Sequence, residues 1–340
     1  MKCRQFIFGL LLGICISGAV RAQQRKTYRH MLRGYEDNDN INSPGRRTDR
    51  GYTNGTRFDY FFIKDKPSHF FLNRLIPKAG DSSINTYGWG LMQVIISPKN
   101  ILKKIPDRND YPYAGALFAT HSLFSSNPIK KYNWQTKWMM GVMGPPSLAR
   151  EAQEYAHRLV GYIQPGGWDY QLKTDPLLNV SVAAEKELVH INNVVEFIGG
   201  SQASAGTALN GAAVYSLIRF GKMEPYFNGY LSQFTARKGS KPRHQIYGII
   251  RPAVEWMLTN ALIDGGIFNG HKEPIPEPST TSDEPEMKAR VRNRIAVKVE
   301  YGVVASFGSV CISFTQTTAT PMVKGTGKQE IGNISLFFAW

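Results

Sequence analysis

Gln245-Ile246-Tyr247-Gly248-Ile249-Ile250-Arg251-Pro252-Ala253-Val254-Glu255-Trp256-Met257-Leu258-Thr259 decides the fold of this chain. Its even positions read Ile246, Gly248, Ile250, Pro252, Val254, Trp256 and Leu258, while the odd ones include Gln245, Arg251, Glu255 and Thr259. A period of two sends alternate side chains to opposite faces of a strand. One apolar and one polar face suit a strand with lipid outside and a polar lumen inside. Arg294–Phe307 repeats the pattern, setting Ile295, Val297, Val299, Tyr301, Val303 and Phe307 against Arg294, Lys298, Glu300 and Ser306. Gly308-Ser309 then reads as a two-residue hairpin turn. It leads into Val310, Ile312 and Phe314, which alternate with Cys311, Ser313 and Thr315.

The chain ends on the same pattern: Ile334, Leu336, Phe338 and Trp340 alternate with Ser335, Phe337 and Ala339. An aromatic carboxyl-terminal residue on such a strand resembles the signal by which bacterial outer-membrane barrels are recognised for assembly. Strands are predicted near 27–36, 55–63, 84–97, 113–125, 134–144, 179–190, 194–204, 207–220, 244–260, 292–307, 310–317 and 332–340. The fold class is therefore an all-β transmembrane antiparallel barrel of about twelve strands, an even number as single-chain bacterial barrels require. Parity makes 225–236 a connection rather than a thirteenth strand.

The amino terminus sets the compartment. Lys2 and Arg4 precede an uncharged apolar run from Phe6 to Val20, and Val20 and Ala22 flank Arg21 as small residues at a cleavage site. Residues 1–22 read as a signal peptide and 23–340 as the barrel domain. A lipidated Cys15 is the lesser reading, because Ile14 is bulky for the position before it. Removing Lys2, Arg4 and Arg21 takes the formal charge from +15 to +12. It also leaves Cys311 alone, so no intrachain disulfide forms. After the signal, no apolar run reaches the ~18 residues of a spanning helix. A basic excess on an exported chain suits either a solvated surface or an anionic glycolipid, and fits nucleic acid poorly.

With both termini periplasmic, the connections 37–54, 98–112, 145–178 and 263–290 point outward. The last is a Pro-rich polar loop with Pro274, Pro276, Pro278 and Pro285. The third holds a helix: Ser147 is placed to cap it, and Leu148, Ala152, Tyr155, Ala156, Leu159 and Val160 form an apolar stripe. Gln153 and His157, four apart, share another face. There is no Gly-x-Ser-x-Gly elbow, HExxH or CxxC in the chain.

Four polar segments collect at the outer rim: Asp37-Asn38-Asp39-Asn40, Thr48 to Gly55, Asp110 to Gly115, and the Gln153–His157 helix. Asn38-Asp39, Thr48-Asp49-Arg50-Gly51-Tyr52-Thr53-Asn54-Gly55, Gly90-Leu91-Met92-Gln93, Gly144-Pro145, Gln153 to His157 and Gly167-Trp168-Asp169-Tyr170-Gln171 occur in that order. In this order they resemble the motifs of the outer-membrane lipid A 3′-O-deacylases, over roughly Glu36 to Pro176. The resemblance implies a carboxylic ester hydrolase in the outer membrane of a Gram-negative bacterium, monomeric, acting on lipid A of lipopolysaccharide. It implies a water activated by His157, with Ca2+ held by Asp39 beside Asn38. Thr53 would supply a hydrogen bond, and Gln153 would orient His157 or the substrate.

Two positions depart from the family pattern. Tyr111 stands where an arginine is expected, and Ile163 and Gln164 stand where a carboxylate often follows the helix histidine; Asp169 and Asp175 are the candidate replacements for that acid. Alternatives stay open from the residues alone. A pore or structural barrel, or an inactive family member, would share the strands. Asp-Asn runs are common turns, and Tyr111, Tyr113, Trp168 and Tyr170 suit interfacial anchors as well as substrate platforms. Lys99, Lys103, Lys104 and Arg108 suit lipid A phosphates or a solvated loop equally.

Overall fold

Strand pairing starts where the two ends of the chain meet. In the computed structural model, which describes residues 28–42, 50–64, 70–192, 194–234, 244–269, 274–275 and 290–340, β1 (His30–Asn38) lies antiparallel to β12 (Gln329–Ala339). Met31 faces Ala339 across this seam and Asn38 faces Gly332. Between them run β2 (Gly51–Ile63), β3 (Ile84–Ser97), β4 (Ala114–Asn127), β5 (Tyr132–Met143), β6 (Asp175–Ile191), β7 (Val195–Gly206), β8 (Leu209–Lys222), β9 (Gln245–Asn260), β10 (Ile295–Phe307) and β11 (Val310–Ala319). Each pairs with its sequence neighbour, giving a closed twelve-strand antiparallel barrel. No helix among the described residues is long and apolar enough to cross a membrane. Residues 1–22, the expected signal peptide, lie outside the described residues, as do Thr48, Asp49 and most of the Pro-rich loop.

The period-two reading of β9 is borne out side chain by side chain. Ile246, Val254, Trp256 and Leu258 are about half exposed on the outer wall, whereas Gln245, Tyr247, Ala253 and Met257 are buried. All twelve expected strands are present. β2 and β6 begin four residues before their expected starts, and β1 runs two further, to Asn38. These extensions are polar rim segments, paired by backbone hydrogen bonds beyond the band where lipid enforces alternation. At the end bearing the termini, Trp340 stacks on His30, Tyr60 and Phe338, an aromatic patch of the kind that girdles such barrels.

The connection after β8 does more than join two strands. Phe227, Leu231 and Phe234 are buried inside the barrel at the same end, where Tyr230 stacks on Phe124 at 4.1 Å and Phe234 on Phe337 at 4.1 Å. Arg33 donates to the Tyr230 hydroxyl and Gln245 to the Ser232 carbonyl, so polar atoms carried in by the segment find partners. Beyond it the lumen holds a cavity of about 610 Å³ crossed by charge pairs, Arg33 and Arg57 on Asp59 and Arg251 on Glu300. The inserted segment and these ion pairs occupy part of the lumen.

Candidate active site

The site lies on the outer surface of the barrel wall, and the helix in the β5–β6 connection roofs it. That helix, α2, spans Ala149–Val160; a one-turn helix α1 (Leu72–Leu75) precedes it in the chain. Its start is pinned to the wall by Gln93, whose side-chain amide donates to the Ser147 carbonyl at 2.7 Å. Gly115 on β4 makes the approach possible, since a Cβ there would come within 2.1 Å of the Ala149 Cβ and 2.5 Å of the Ser147 Oγ. A Gly115→Val protein should still fold as a barrel, because the strand itself accepts valine. Displacing the helix by an ångström should lower activity ~10²-fold, measured as acyl release by protein with normal heat-modifiable gel mobility.

One expectation for the helix is corrected. Ser147 does not cap it: its Oγ donates to the Gly144 carbonyl at 2.6 Å, and the helix starts after Leu148, a left-handed residue with φ 57°. The apolar stripe, whose direction the spacing left open, turns mostly outward, with Ala152 at its edge packed against Ile95, Tyr113 and Trp168. Leu148, Tyr155, Leu159 and Val160 are more than half exposed, while Ala149, Gln153 and His157 are buried. On a barrel standing in a bilayer that apolar face meets lipid, and the polar face packs on the wall.

Gln153 is held at both ends of its amide. Nε2 donates to the Ser97 hydroxyl at 3.1 Å, and Oε1 accepts the Trp168 indole N–H at 2.8 Å. These bonds tie Gln153 to the wall and to the following loop rather than to His157. Trp168, Tyr111 and Tyr113 are fully buried and pack within the outer end of the protein, so they are neither interfacial anchors nor substrate platforms. Tyr111, at the position of the family arginine, accepts the Met322 N–H at 2.9 Å and links two outer loops.

One turn on, Gly161 adopts φ 67° and closes the helix, with the Tyr162 N–H donating to the His157 carbonyl at 2.8 Å. This left-handed turn, which glycine accepts without Cβ strain, folds the chain back on the histidine. Nδ1 of His157 sits 2.5 Å from the Ile163 carbonyl oxygen. A carbonyl only accepts, so the proton belongs on Nδ1 and Nε2 is left as the basic nitrogen. Thus the residue that lacks the expected carboxylate still supplies an oxygen through its backbone. Neither proposed substitute acid takes this place. Asp169 pairs with Arg150 in solvent, and Asp175 accepts the Phe268 and Asn269 N–H groups. With Glu154 also beside it, Arg150 is held above the ordinary guanidinium range.

Asn38, Asp39 and Thr53 lie together at the outer ends of β1 and β2. Asn38 and Asn54 are paired across β1 and β2, and the Asp39 N–H donates to the Thr53 carbonyl at 3.3 Å. Asp39 is buried and its Oδ2 accepts the Arg50 N–H at 3.1 Å; the Asn38 Oδ1 accepts the Asn40 N–H at 2.8 Å. Thr53 is the extra residue of a bulge between Tyr52 and Asn54, a device that re-aims a side chain next to a site. Gly51, two residues before it, is paired with Ser97, the anchor of Gln153, which sets the helix beside this cluster. Oxygen donors alone, from a carboxylate, a side-chain amide and a threonine, suit a hard cation such as Ca2+. On the neighbouring loop Lys103 is ion-paired with Asp107 at 2.7 Å, which weakens its candidacy for a lipid phosphate.

Sequence reasoning missed Ser97, Trp168 and the Ile163 carbonyl as holders of the two helix residues. A backbone acceptor carries no sequence signal beyond Gly161, whose place one turn after the histidine marks the fold-back. The family model described as outer membrane protein LpxR matches residues 7–340. No curated protein matches by sequence. Among solved structures, LpxR from Salmonella typhimurium is similar with a TM-score of 0.69 at 16% identity, over 91% of this chain and 100% of that one. The β domain of the Bordetella autotransporter BrkA shares 8% identity at a TM-score of 0.42, covering 93% of this chain and 100% of that one, a likeness too slight to argue from. With its motifs in order along a twelve-strand barrel and its helix roofing the outer wall, this outer-membrane chain belongs to the LpxR family, the lipid A 3′-O-deacylases that its motifs resemble.

Proposed function

We propose that this protein removes an ester-linked acyl chain from lipid A, using a water activated by His157 with Ca2+ assisting. The observation that carries the reading is His157 on the buried face of α2, with Nδ1 held by the Ile163 carbonyl. That hydrogen bond fixes the tautomer and ring plane, so Nε2 can take a proton from water as it attacks the ester carbonyl. The imidazolium then returns the proton to the departing sugar oxygen, and free fatty acid and the deacylated glycolipid result. Asp39 would hold the cation with help from Asn38, and Thr53 would give a hydrogen bond to the reacting group. When bound, a hard cation polarises the ester carbonyl and steadies the oxyanion. Gln153 keeps the helix at its height on the wall and so positions His157 indirectly.

Position supports the substrate. The apolar face of α2 and the exposed wall residues Phe58 and Leu91 lie on the lipid side of the barrel, so a lipid can reach the site without leaving the bilayer. Lys99 and Lys104 on the neighbouring loop would meet its phosphates. The test is mass spectrometry of lipid A from cells with and without the protein. Loss of the mass of one acyl chain is expected only where it is present, and identical lipid A in both would reject the activity.

A further inference from the structure

A bulge at the periplasmic end of β6 brings together two side chains that a regular strand would set on opposite faces. Ser181 and Glu185 line the lumen, and Glu187 follows in step with them. Glu187 stands opposite Ile198 on β7, and the next paired residue is Val189, opposite Phe197, so Leu188 is the extra residue. Positions three apart alternate faces in an unbroken strand; the inserted residue returns His190 to the lumenal side. Leu188 and Val189 are accordingly both about half exposed on the outer wall. His190 is paired directly with Glu196, whose side chain is buried. Its Nδ1 lies 3.4 Å from the Glu187 Oε2 and 3.7 Å from the Glu196 Oε1. One ligand atom from each of the three residues lies within 4.8 Å of the other two. Behind them, Arg219 on β8 donates to the Glu196 Oε2 at 2.5 Å, and the Tyr226 N–H of the inserted segment donates to Oε1 at 3.0 Å. The Glu187 Oε2 is covered and takes no hydrogen bond among the described residues.

The separations decide between two readings of this cluster. An imidazole paired directly with a carboxylate closes to about 2.7–2.9 Å, and neither distance here is that short. In a tetrahedron built on metal–ligand bonds of ~2.0–2.2 Å, neighbouring ligand atoms stand ~3.3–3.6 Å apart. One imidazole nitrogen with two carboxylate oxygens is a donor set for Zn2+, whereas Ca2+ takes oxygen alone. We propose that Glu187, His190 and Glu196 bind one Zn2+ ion at the periplasmic end of the barrel, with water in the fourth position. His190, its side chain 30% exposed, leaves the ion a route in from solvent. Arg219 engages Oε2 of Glu196 and so turns Oε1 toward the metal, the orienting part that partners of a ligand play. Through Glu196 the ion fastens the β6–β7 hairpin to β8 and to Tyr226 of the inserted segment. The site stands at the end of the barrel opposite Asp39 and does not depend on the deacylase reading.

The test is a calorimetric titration with Zn2+ of full-length protein in detergent, first stripped of metal and then kept in excess Ca2+ so that an oxygen site stays filled. One equivalent of Zn2+ should bind, and its addition should slow backbone hydrogen exchange in the β6–β7 hairpin. His190→Ala should weaken that binding by at least ~10²-fold, the upper scale for losing a group that only orients a ligand. Glu187→Gln, nearly identical in shape, should weaken it at least ~10-fold. Heat-modifiable gel mobility establishes that each variant is folded, and Glu187→Gln decides alone if His190→Ala does not fold. A protein in which His190 is only a cation between two acids would bind Zn2+ no better than His190→Ala protein does, which would overturn the proposal. Zn2+ binding that survives both substitutions, or that is lost in Asp39→Asn protein instead, would place the ion elsewhere and overturn it too.

Discussion

His157→Ala protein is expected to insert and close as a barrel, yet to release acyl chains from lipid A at least ~10² times more slowly than the unsubstituted protein. The expectation of normal folding comes from position: His157 sits on a helix laid against the outside of the wall, and no strand pairing passes through it. The expectation of a large loss comes from its proposed role as the base, since the other buried side chains of the helix, Ala149 and Gln153, carry no group that takes up a proton. Heat-modifiable gel mobility and β-rich circular dichroism would establish folding before rates are compared. A folded variant that keeps the original rate would remove His157 from the chemistry. A variant that does not fold would instead make it a packing residue.

Stripping divalent cations should abolish acyl release, and Ca2+ should restore it better than Zn2+. Asp39, Asn38 and Thr53 offer oxygen atoms only, which hard cations prefer, whereas Zn2+ favours nitrogen and sulfur ligands. Losing the charge that steadies the oxyanion should cost at least ~10²-fold, the scale seen when one oxyanion donor is removed. Asp39→Asn should weaken Ca2+ binding in a direct titration as well as slow the reaction. Full activity in excess chelator would remove the cation from the account and leave Asp39 as a loop-ordering residue that accepts the Arg50 N–H.

The barrel was readable because lipid enforces a period of two: Ile246, Val254 and Trp256 had to differ from Gln245, Ala253 and Met257 for β9 to stand in a membrane. Where lipid does not reach, the pattern lapses, which is why Asp37-Asn38 and Gly51–Asn54 read as loop and yet pair as strand. Helical periodicity located α2 but did not tell which face is inward, because Leu148, Tyr155 and Leu159 suit a protein core and a bilayer equally. Its polar face, with Gln153 and His157, turned out to be the packed one. The plug was legible only as a cluster of aromatics at Tyr226, Phe227, Tyr230 and Phe234, in a stretch that strand parity could describe only as a connection.

Hydrolysis of lipid A by purified protein in water enriched in oxygen-18 tests the central claim most directly. A water attacking the ester carbonyl places one heavy oxygen in the released fatty acid and none in the glycolipid product. Mass spectrometry of both products should find that distribution after a single turnover, and no labelled acid from His157→Ala protein. Unlabelled fatty acid, label in the glycolipid, or the acyl chain recovered on another lipid rather than as free acid would contradict hydrolysis by a histidine-activated water.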